Sequence, residues 1–268
     1  LSAKIKLKKI NSIYIKQKIT EFSNYSEFFN LLKKLDKYEY NVTWIDDLQL
    51  NKIKGLCYFG NHIGGISLND EIISIKEKDI GLLNFLLLKI FTQNYYLIKI
   101  TKFFFRKLKK IFYKERSNLF DFFYPQDRFL NWNKIYGKNG FFQVQFLIGE
   151  KDFINILNKI SNFFIKEKVF STFTIIKKFN EKGKYLNFYG RGLSISMDIP
   201  INSRFTKTKT FLNNLFKEFN VKINFSKDFI CDRKFLKKNN EYIKFKKNLN
   251  FINRDRKLNS RFSKRLNL

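Results

Sequence analysis

The sequence predicts an α+β protein whose core is a β-α-β-β-α-β unit, the ferredoxin-like arrangement in which an antiparallel sheet carries helices on one face. Two observations predict this core. Apolar residues alternate with a period of 2 in four short segments, and they recur with a period of 3.6 in two segments between them. We place the core at about 140–228, and we expect an N-terminal α+β extension and a helical insert before it.

The six core elements follow one another in the order that this arrangement requires. The strands are expected at 141–148, 171–179, 193–201 and 221–226, the helices at 150–166 and about 206–219, and a loop at 180–192. The first helix carries one apolar stripe, which consists of Phe153, Ile156, Leu157, Ile160 and Phe164. Pro200 ends the third strand, because proline lacks the N–H that a sheet ladder needs.

The N-terminal part has a less regular pattern. We expect a helix near 26–36, strands near 40–45 and 55–60, and helical structure over 80–112. Lysines interrupt the apolar runs of this last segment, so each run is shorter than the roughly 20 residues that a membrane span needs. A buried or interfacial helix pair is therefore predicted, and its basic, aromatic continuation at 106–116 suits contact with an anionic membrane surface.

The chain is strongly basic, with 53 Lys and Arg against 23 Asp and Glu and a net charge of +30. Such a charge ordinarily points to nucleic acid or to an anionic membrane. The chain is also crowded with Asn, Ile and Phe and contains a single alanine, Ala3, which is the usage of an AT-biased genome. We therefore interpret many lysines as solvated surface positions. A non-catalytic basic module that binds nucleic acid or membrane stays open as an alternative, with nucleic acid the less favoured partner.

One face of the predicted sheet is polar. Right-handed crossovers place the first and third strands side by side and the fourth strand outside the first. The side chains that point away from the helices are then Gln143 and Gln145 of the first strand and Ser194, Ser196 and Asp198 of the third. Gln143 is expected near Ser196 or Asp198, and near Lys227 at the end of the last strand. Periodicity alone favours an ordinary solvated sheet face. Because Phe141 and Leu147 share this open face with the two glutamines, a ligand or a partner domain suits it better than bulk water.

The sequence contains no motif for phosphate binding, for a metal site or for nucleophilic hydrolysis. The stretch GNHIGG at 60–65 lacks the spacing and the lysine of a P-loop. The chain has one histidine and two widely separated cysteines, so neither a metal site nor a disulfide framework is expected. The residues alone thus indicate a polar sheet face and one notable lysine, Lys227, whose simplest role is a surface ion pair with Asp228.

Several stretches carry a resemblance to a known family, in the family's order and across nearly the whole chain. They are IKLKKINS (5–12), YEYNVTWID (38–46), KGLCYFGNH (54–62), FFYPQDRFLNWNKIYGKNGFFQVQF (122–146), LSISMDIPI (193–201), SKD (226–228) and LNSRFSKRL (258–266). The Tyr-Pro, Trp-Asn, Tyr-Gly and Gln-x-Gln series is the most specific part. Together these stretches resemble the C-terminal, substrate-binding region of FAD-linked sugar oxidases of the vanillyl-alcohol oxidase and aldonolactone oxidase superfamily, most of all those that oxidise decaprenylphosphoryl-ribose.

The resemblance implies FAD as the cofactor and places the site on the polar face. Lys227 matches a lysine at the pyrimidine edge of the flavin, where a fixed ammonium stabilises the negative charge of the reduced ring, so it is the implied catalytic residue. Gln145 matches a glutamine that contacts the flavin. The residues that match the substrate pocket are Tyr124, Gln143, Lys177, Ser194 and Ser196. Of these, Lys177 suits a sugar phosphate as a point charge, and the two serines stand where the family has asparagine and cysteine.

The implied activity is oxidation of a secondary alcohol of a sugar to a ketone. The implied substrate is a polyprenyl-phosphate-linked pentose of cell envelope polysaccharide synthesis, and the alternative within the enzyme class is a sugar lactone, as in D-arabinono-1,4-lactone oxidases. A reductase partner that completes an epimerase is also implied. The expected location is cytoplasmic, peripheral at the inner membrane face.

In domain terms, residues 1–18 match the last strand of the family's FAD-binding domain, and residues 19–268 match the substrate-binding region. Because the first residue is Leu1 and the only methionine is Met197, we expect a fragment. Its FAD-binding domain is expected upstream in the same chain or on another chain. This chain alone is expected to bind FAD poorly.

Overall fold

The computed structural model describes residues 4–7, 9–10, 12–64, 82–124, 129–180, 188, 190–228, 230–231, 240–255, 257 and 259–266. These residues form helices and antiparallel strands, so the predicted α+β class is confirmed. The chain divides into two compact units. The first contains 1–47 and 52–140, and the second contains 48–51 and 141–268.

The first unit is built on a long β-hairpin and two strands beside it. The strands are β1 (Tyr14–Phe22), β2 (Tyr40–Gln49), β3 (Lys52–His62) and β4 (Arg116–Asn118), in the sheet order β4-β1-β3-β2. Strands β1 and β3 pair over eight residues each, from Ile15 opposite His62 to Phe22 opposite Gly55. The expected domain boundary after residue 18 thus falls inside β1, which is a paired strand of this unit.

The predicted N-terminal helix is α1 (Tyr25–Leu35). It begins at Asn24, whose side chain accepts a hydrogen bond from the backbone N–H of Glu27 at 2.8 Å. The Glu27 carboxylate in turn accepts from the backbone N–H of Ser23, so the two side chains form a capping box. Buried residues of α1 recur with helical spacing and comprise Phe28, Leu32 and Leu35.

The predicted helical insert consists of two helices, α2 (Leu82–Gln93) and α3 (Tyr95–Ile111). Asn94 separates them, and its side chain accepts from the backbone N–H groups of Tyr96 and Leu97, which starts α3. In the part of the chain that the structure describes, no helix is long and apolar enough to cross a membrane. The short helix α4 (Leu119–Phe123) and a 3-10 turn at Trp132–Tyr136 complete the first unit.

The second unit contains the predicted β-α-β-β-α-β run. Its elements are β5 (Phe141–Ile148), α5 (Glu150–Glu167), β6 (Phe173–Phe179), β7 (Gly192–Pro200), α6 (Phe205–Glu218) and β8 (Lys222–Ile223), with α7 (Asn240–Ile252) and α8 (Arg261–Leu266) after them. The strand order β6-β7-β5-β8 puts the first and third strands of the run side by side and the fourth outside the first, as predicted. Residues 181–187 and 189 of the predicted loop lie outside the described residues.

Helices α5 and α6 pack on the face of the sheet opposite the two glutamines. The ring of Phe146 lies 4.8 Å from that of Phe216 on α6, and the rings of Phe163 on α5 and Phe211 on α6 stack at 4.0 Å. The five predicted apolar residues of α5 are all buried. Because the even-numbered residues of β5 face the helices, its odd-numbered residues project from the opposite face of the sheet.

The last predicted strand is wrong in its length. Only Lys222 and Ile223 pair with β5, and a 3-10 turn at Phe225–Lys227 replaces the expected continuation to 226. The physical reason is Asn224, whose side-chain oxygen accepts from the backbone N–H of Ser226 at 3.1 Å. Such a local bond offers the backbone an alternative to the sheet ladder. Lys227 therefore ends a turn and not a strand.

Candidate functional site

The register of the second unit brings most of the predicted site residues onto one sheet face. In the β5–β7 pair, Gln143 lies opposite Asp198, and Gln145 lies opposite Ser196. In the β6–β7 pair, Lys177 lies opposite Ser194. We call the resulting set the polar face, and it consists of Gln143, Gln145, Lys177, Ser194, Ser196 and Asp198.

The amide of Gln145 is held at both ends. Its Nε2 donates to the hydroxyl of Ser194 at 2.9 Å, and its Oε1 accepts from Nδ2 of Asn224 at 2.7 Å. The backbone of Asn224 also donates to the carbonyl oxygen of Gln145 at 2.8 Å. Because Oδ1 of Asn224 accepts from the backbone N–H of Ser226, Nδ2 is the end of Asn224 that donates, and this contact defines which way the amide of Gln145 points.

Gln143 makes a separate contact on the same face. Its Nε2 donates to Oδ1 of Asp198 at 2.6 Å. Burial raises the pKa of the Asp198 carboxyl above its ordinary value, although this hydrogen bond and the charge of Lys227 act in the opposite direction. The prediction that Gln143 lies near Asp198 is thus confirmed, and desolvation dominates the electrostatics of this carboxyl.

The expectation that this face is open is wrong for its central strand. Every residue of β7 is buried, and the side chains of Ser194 and Asp198 are only 1% and 5% exposed. Gln145 and Ser196 are each 8% exposed. Period-2 alternation reports which side of the sheet a residue faces, but not what covers that side. The polar groups of β7 are therefore desolvated, which strengthens each electrostatic interaction among them.

Two lysines border the polar face with like charges. Lys177 is half-buried on β6, and burial together with the neighbouring ammonium of Lys227 lowers the pKa of Lys177 below its ordinary value. Lys227 is exposed at the end of its 3-10 turn, and its charge also reaches Asp198. The polar face therefore lies within the field of two cations and contains a carboxyl whose ionisation burial disfavours.

Asp228 does not have the role that its position beside Lys227 suggests. Its carboxylate is completely buried and accepts from the backbone N–H groups of Ile230 at 2.9 Å and Cys231 at 2.8 Å. Its other oxygen lies 2.9 Å from the guanidinium of Arg265 on α8. The predicted surface ion pair is replaced by a buried anchor, and this anchor holds the chain directly after Lys227.

Tyr124, the remaining predicted substrate residue, belongs to the first unit. It follows α4, is 53% exposed, and its ring centroid lies 6.2 Å from those of Phe120 and Phe123. Its backbone N–H donates to the carbonyl oxygen of Phe120 and closes the helix. The assignment of Tyr124 to a substrate pocket stays a prediction.

Sequence reasoning missed two residues that organise this site, Asn224 and Arg265. The signal for Asn224 was present in the stretch Asn-Phe-Ser, because asparagine two residues before a free N–H favours a turn. Arg265 carried no such signal, because it lies 37 positions from Asp228 in the sequence. Contacts of this length depend on the path of the whole C-terminal segment.

Replacing Asp198 with asparagine is expected to stabilise the second unit at neutral pH. Burial raises the pKa of the Asp198 carboxyl in the folded state. The free energy of unfolding of the wild type therefore falls as the pH rises above about 3.8, the ordinary pKa of this carboxyl. The gain from Asp198→Asn should be present at pH 7 and shrink towards pH 3.8. Urea unfolding followed by circular dichroism at both pH values measures it. Asp255→Asn, at an exposed position, is the control. If Asp198→Asn raised the free energy of unfolding equally at pH 7 and at pH 3.8, the predicted pH dependence would be contradicted.

Gly60 belongs to the glycine-containing stretch that was compared with a phosphate loop, and the structure places it in β3. A Cβ at Gly60 would lie 2.5 Å from the carbonyl oxygen of Lys16, so this glycine serves the close pairing of β1 and β3 and not a phosphate loop. Among the described residues, no group of three or more metal-ligating side chains occurs. No family model matches the chain.

Proposed function

We propose that the polar face of the second unit is one wall of the substrate site of an FAD-dependent oxidoreductase of the vanillyl-alcohol oxidase and aldonolactone oxidase superfamily, close to the decaprenylphosphoryl-ribose oxidases. The reaction is oxidation of a secondary alcohol of a sugar to a ketone. The FAD-binding domain is supplied upstream in the same chain or by another chain, and a reductase partner completes an epimerase.

The observation that carries this proposal is the pair of cations beside a desolvated polar face. Lys177 is half-buried, and the Lys227 charge lowers its pKa further. An anionic ligand beside the two ammonium groups would offset their repulsion and raise the pKa of Lys177 again. The reduced flavin ring and a sugar phosphate are both anions, so the electrostatics fit the two groups that the resemblance requires.

FAD, when bound, supplies the acceptor for the two electrons that leave the carbinol carbon. Lys227, exposed at the end of its 3-10 turn, would stabilise the negative charge that develops at the pyrimidine edge of the ring. Gln145 would be a positioning contact, because Asn224 and Ser194 define the direction of its amide. Gln143 and Lys177 would bind the sugar and its phosphate, with Gln143 oriented by Asp198.

Polyprenyl-phosphate pentose is the substrate that we favour over a free sugar lactone. A lactone carries no phosphate, so it gives Lys177 no anion to bind. Lysine acts on a phosphate as a point charge, which matches a single half-buried ammonium on a strand. Lys177→Met should therefore raise the KM for a phosphate-linked sugar about tenfold and leave the KM for a lactone unchanged. If Lys177→Met instead left the KM for the phosphate-linked sugar unchanged and raised the KM for the lactone, the lactone would be favoured.

The test uses this chain together with its FAD-binding domain, loaded with FAD. Anaerobic addition of a polyprenyl-phosphate pentose should bleach the flavin absorbance, and Lys227→Ala should slow the bleaching about 10²-fold. Lys217→Ala is the matched control, because Lys217 is an exposed lysine in the last turn of α6. If Lys227→Ala bleached at the wild-type rate while binding flavin normally, the role of Lys227 at the flavin edge would be refuted.

A further inference from the structure

Helix α3 buries a charged residue on its inner side. Next to the buried Ile98, this side contains Arg106, whose guanidinium lies 2.8 Å from Glu21 and 2.8 Å from Asp46. The exposed Lys110 also lies 2.6 Å from Glu21. A surface helix normally turns its apolar stripe to the core and its charges to water. Here the acidic groups of β1 and β2 draw Arg106 inward.

The outward side of α3 is apolar as a consequence. Exposed residues recur at spacings of three and four along the helix, and they are Tyr96, Ile100, Phe103, Phe104, Leu108 and Ile111. We call this set the apolar face. Phe104 is 58% exposed and Ile111 is 72% exposed. A continuous row of large exposed apolar side chains on one helix marks an interaction site and not ordinary surface.

The neighbouring helix α2 extends this surface. Leu86, Leu87 and Ile90 of α2 are each at least 45% exposed. Both helices belong to the first unit and lie in contact. Neither helix is long enough or apolar enough to cross a bilayer, so the surface suits a helix pair that lies in the plane of a membrane.

The charges around the apolar face favour an anionic surface. Residues 82–114 contain no Asp or Glu, and their basic residues are Lys89, Lys99, Lys102, Arg106, Lys107, Lys109, Lys110 and Lys114. Lys99 and Lys107 are exposed, and their ammonium groups lie 4.6 Å from the Tyr95 ring and 5.9 Å from the Phe103 ring. Such lysines lay their stems along the aromatic residues and extend the charge towards a lipid headgroup layer.

We propose that α2 and α3 form an in-plane anchor that binds the surface of an anionic lipid bilayer, with the apolar face in the acyl boundary and Lys99 and Lys107 at the headgroups. A second protein could also cover an apolar face, but exposed lysines on two helices that contain no Asp or Glu match a continuous anionic surface. This inference does not depend on the proposed oxidation. If both hold, the anchor keeps the enzyme at the surface in which a polyprenyl-linked substrate is embedded.

Co-sedimentation of the purified chain with vesicles tests the anchor. The chain should sediment with vesicles of phosphatidylcholine that contain about one third phosphatidylglycerol, and much less with phosphatidylcholine alone. The double variant Ile100→Glu/Phe104→Glu should lower the partition coefficient for anionic vesicles at least about tenfold. The control is the double variant Ile165→Glu/Ile243→Glu, which adds the same charges at exposed apolar positions of α5 and α7.

Each outcome decides the proposal. Equal loss in both double variants would show that net charge alone drives binding, and the apolar face would then have no role. Absence of wild-type binding to anionic vesicles would also refute the anchor. If instead the chain formed dimers that Ile100→Glu/Phe104→Glu dissociated in sedimentation velocity, without vesicle binding, the occupant would be a second copy. Circular dichroism verifies that each variant is folded.

Discussion

Replacing Arg106 with methionine is expected to lower the free energy of unfolding of the first unit by about 3–5 kcal/mol. The guanidinium is 7% exposed and forms ion pairs with Glu21 and with Asp46, whose side chain is only 2% exposed. The Arg106 Nε contact with Asp46 is an ion pair at 2.8 Å without good hydrogen-bond alignment. Removing the cation leaves the Asp46 carboxylate buried without that compensation, and this accounts for most of the loss.

Urea unfolding followed by tryptophan fluorescence measures this loss, because both tryptophans of the chain, Trp44 and Trp132, belong to the first unit. Lys107→Met is the matched control, since the neighbouring residue on α3 is exposed. The triple variant Glu21→Gln/Asp46→Asn/Arg106→Met should recover part of the stability, because it removes the stranded charges as well. A loss below about 1 kcal/mol for Arg106→Met would mean that the ion pairs are solvated.

Relative to wild type, Arg106→Met should lose less free energy of unfolding at acid pH than at neutral pH. Hydrogen bonding to Lys110, together with the nearby charges of Lys110 and Arg106, lowers the pKa of Glu21 below its usual 4.5. A carboxyl with a lowered pKa stabilises the fold above its unfolded pKa, and that contribution is lost as the pH falls through the folded value. The difference between wild type and Arg106→Met should therefore narrow below pH 4.5, where Glu21 takes up its proton.

Replacing Asp228 with alanine is expected to destabilise the second unit by about 3 kcal/mol. The fully buried carboxylate accepts from the backbone N–H groups of Ile230 and Cys231 and forms an ion pair with Arg265. Alanine would leave all three donors without this acceptor. Because the carboxylate directly follows Lys227, the change should also loosen the turn that carries the lysine.

Hydrogen exchange of the peptide amides from 221 to 231 measures this effect locally. Asp228→Asn retains the acceptor for the backbone N–H groups but loses the charge, so it should cost less than Asp228→Ala. Arg265→Ala removes only the cation, and a double-mutant cycle of Asp228→Asn with Arg265→Ala isolates the coupling between the two side chains. Equal exchange rates in wild type and Asp228→Ala would refute the role of Asp228 as an anchor.

Local patterns were sufficient for most elements of the second unit. The strand Phe141–Ile148 has the predicted bounds, α5 is one residue longer at its C-terminal end than predicted, and α6 begins and ends one residue earlier. These segments have strong periodicity and bury one face, which specifies both type and register. The predicted length of β8 was wrong because the side chain of Asn224 accepts a local hydrogen bond, which periodicity does not report.

The buried side of α3 could not be predicted from the sequence of the helical insert alone. Its apolar runs predicted a buried or interfacial helix pair, and the helices exist at α2 and α3. Which side of α3 is buried depends on Glu21 and Asp46, which lie on strands far away in the sequence. A helical wheel of α3 alone would bury its apolar side, because it contains no information about acidic partners elsewhere.

The sequence by itself determined the α+β class, the order of the elements and the residues of β5 and β7 that share the polar face, because each follows from local periodicity and from strand pairing rules. Only the tertiary structure decided that this face is desolvated, that Asn224 and Ser194 orient Gln145, and that Asp228 binds Arg265 and not Lys227. Burial and partner choice depend on segments that are distant in sequence. Their physical consequences, a shifted pKa or an outward apolar helix face, therefore emerge only when the chain has folded.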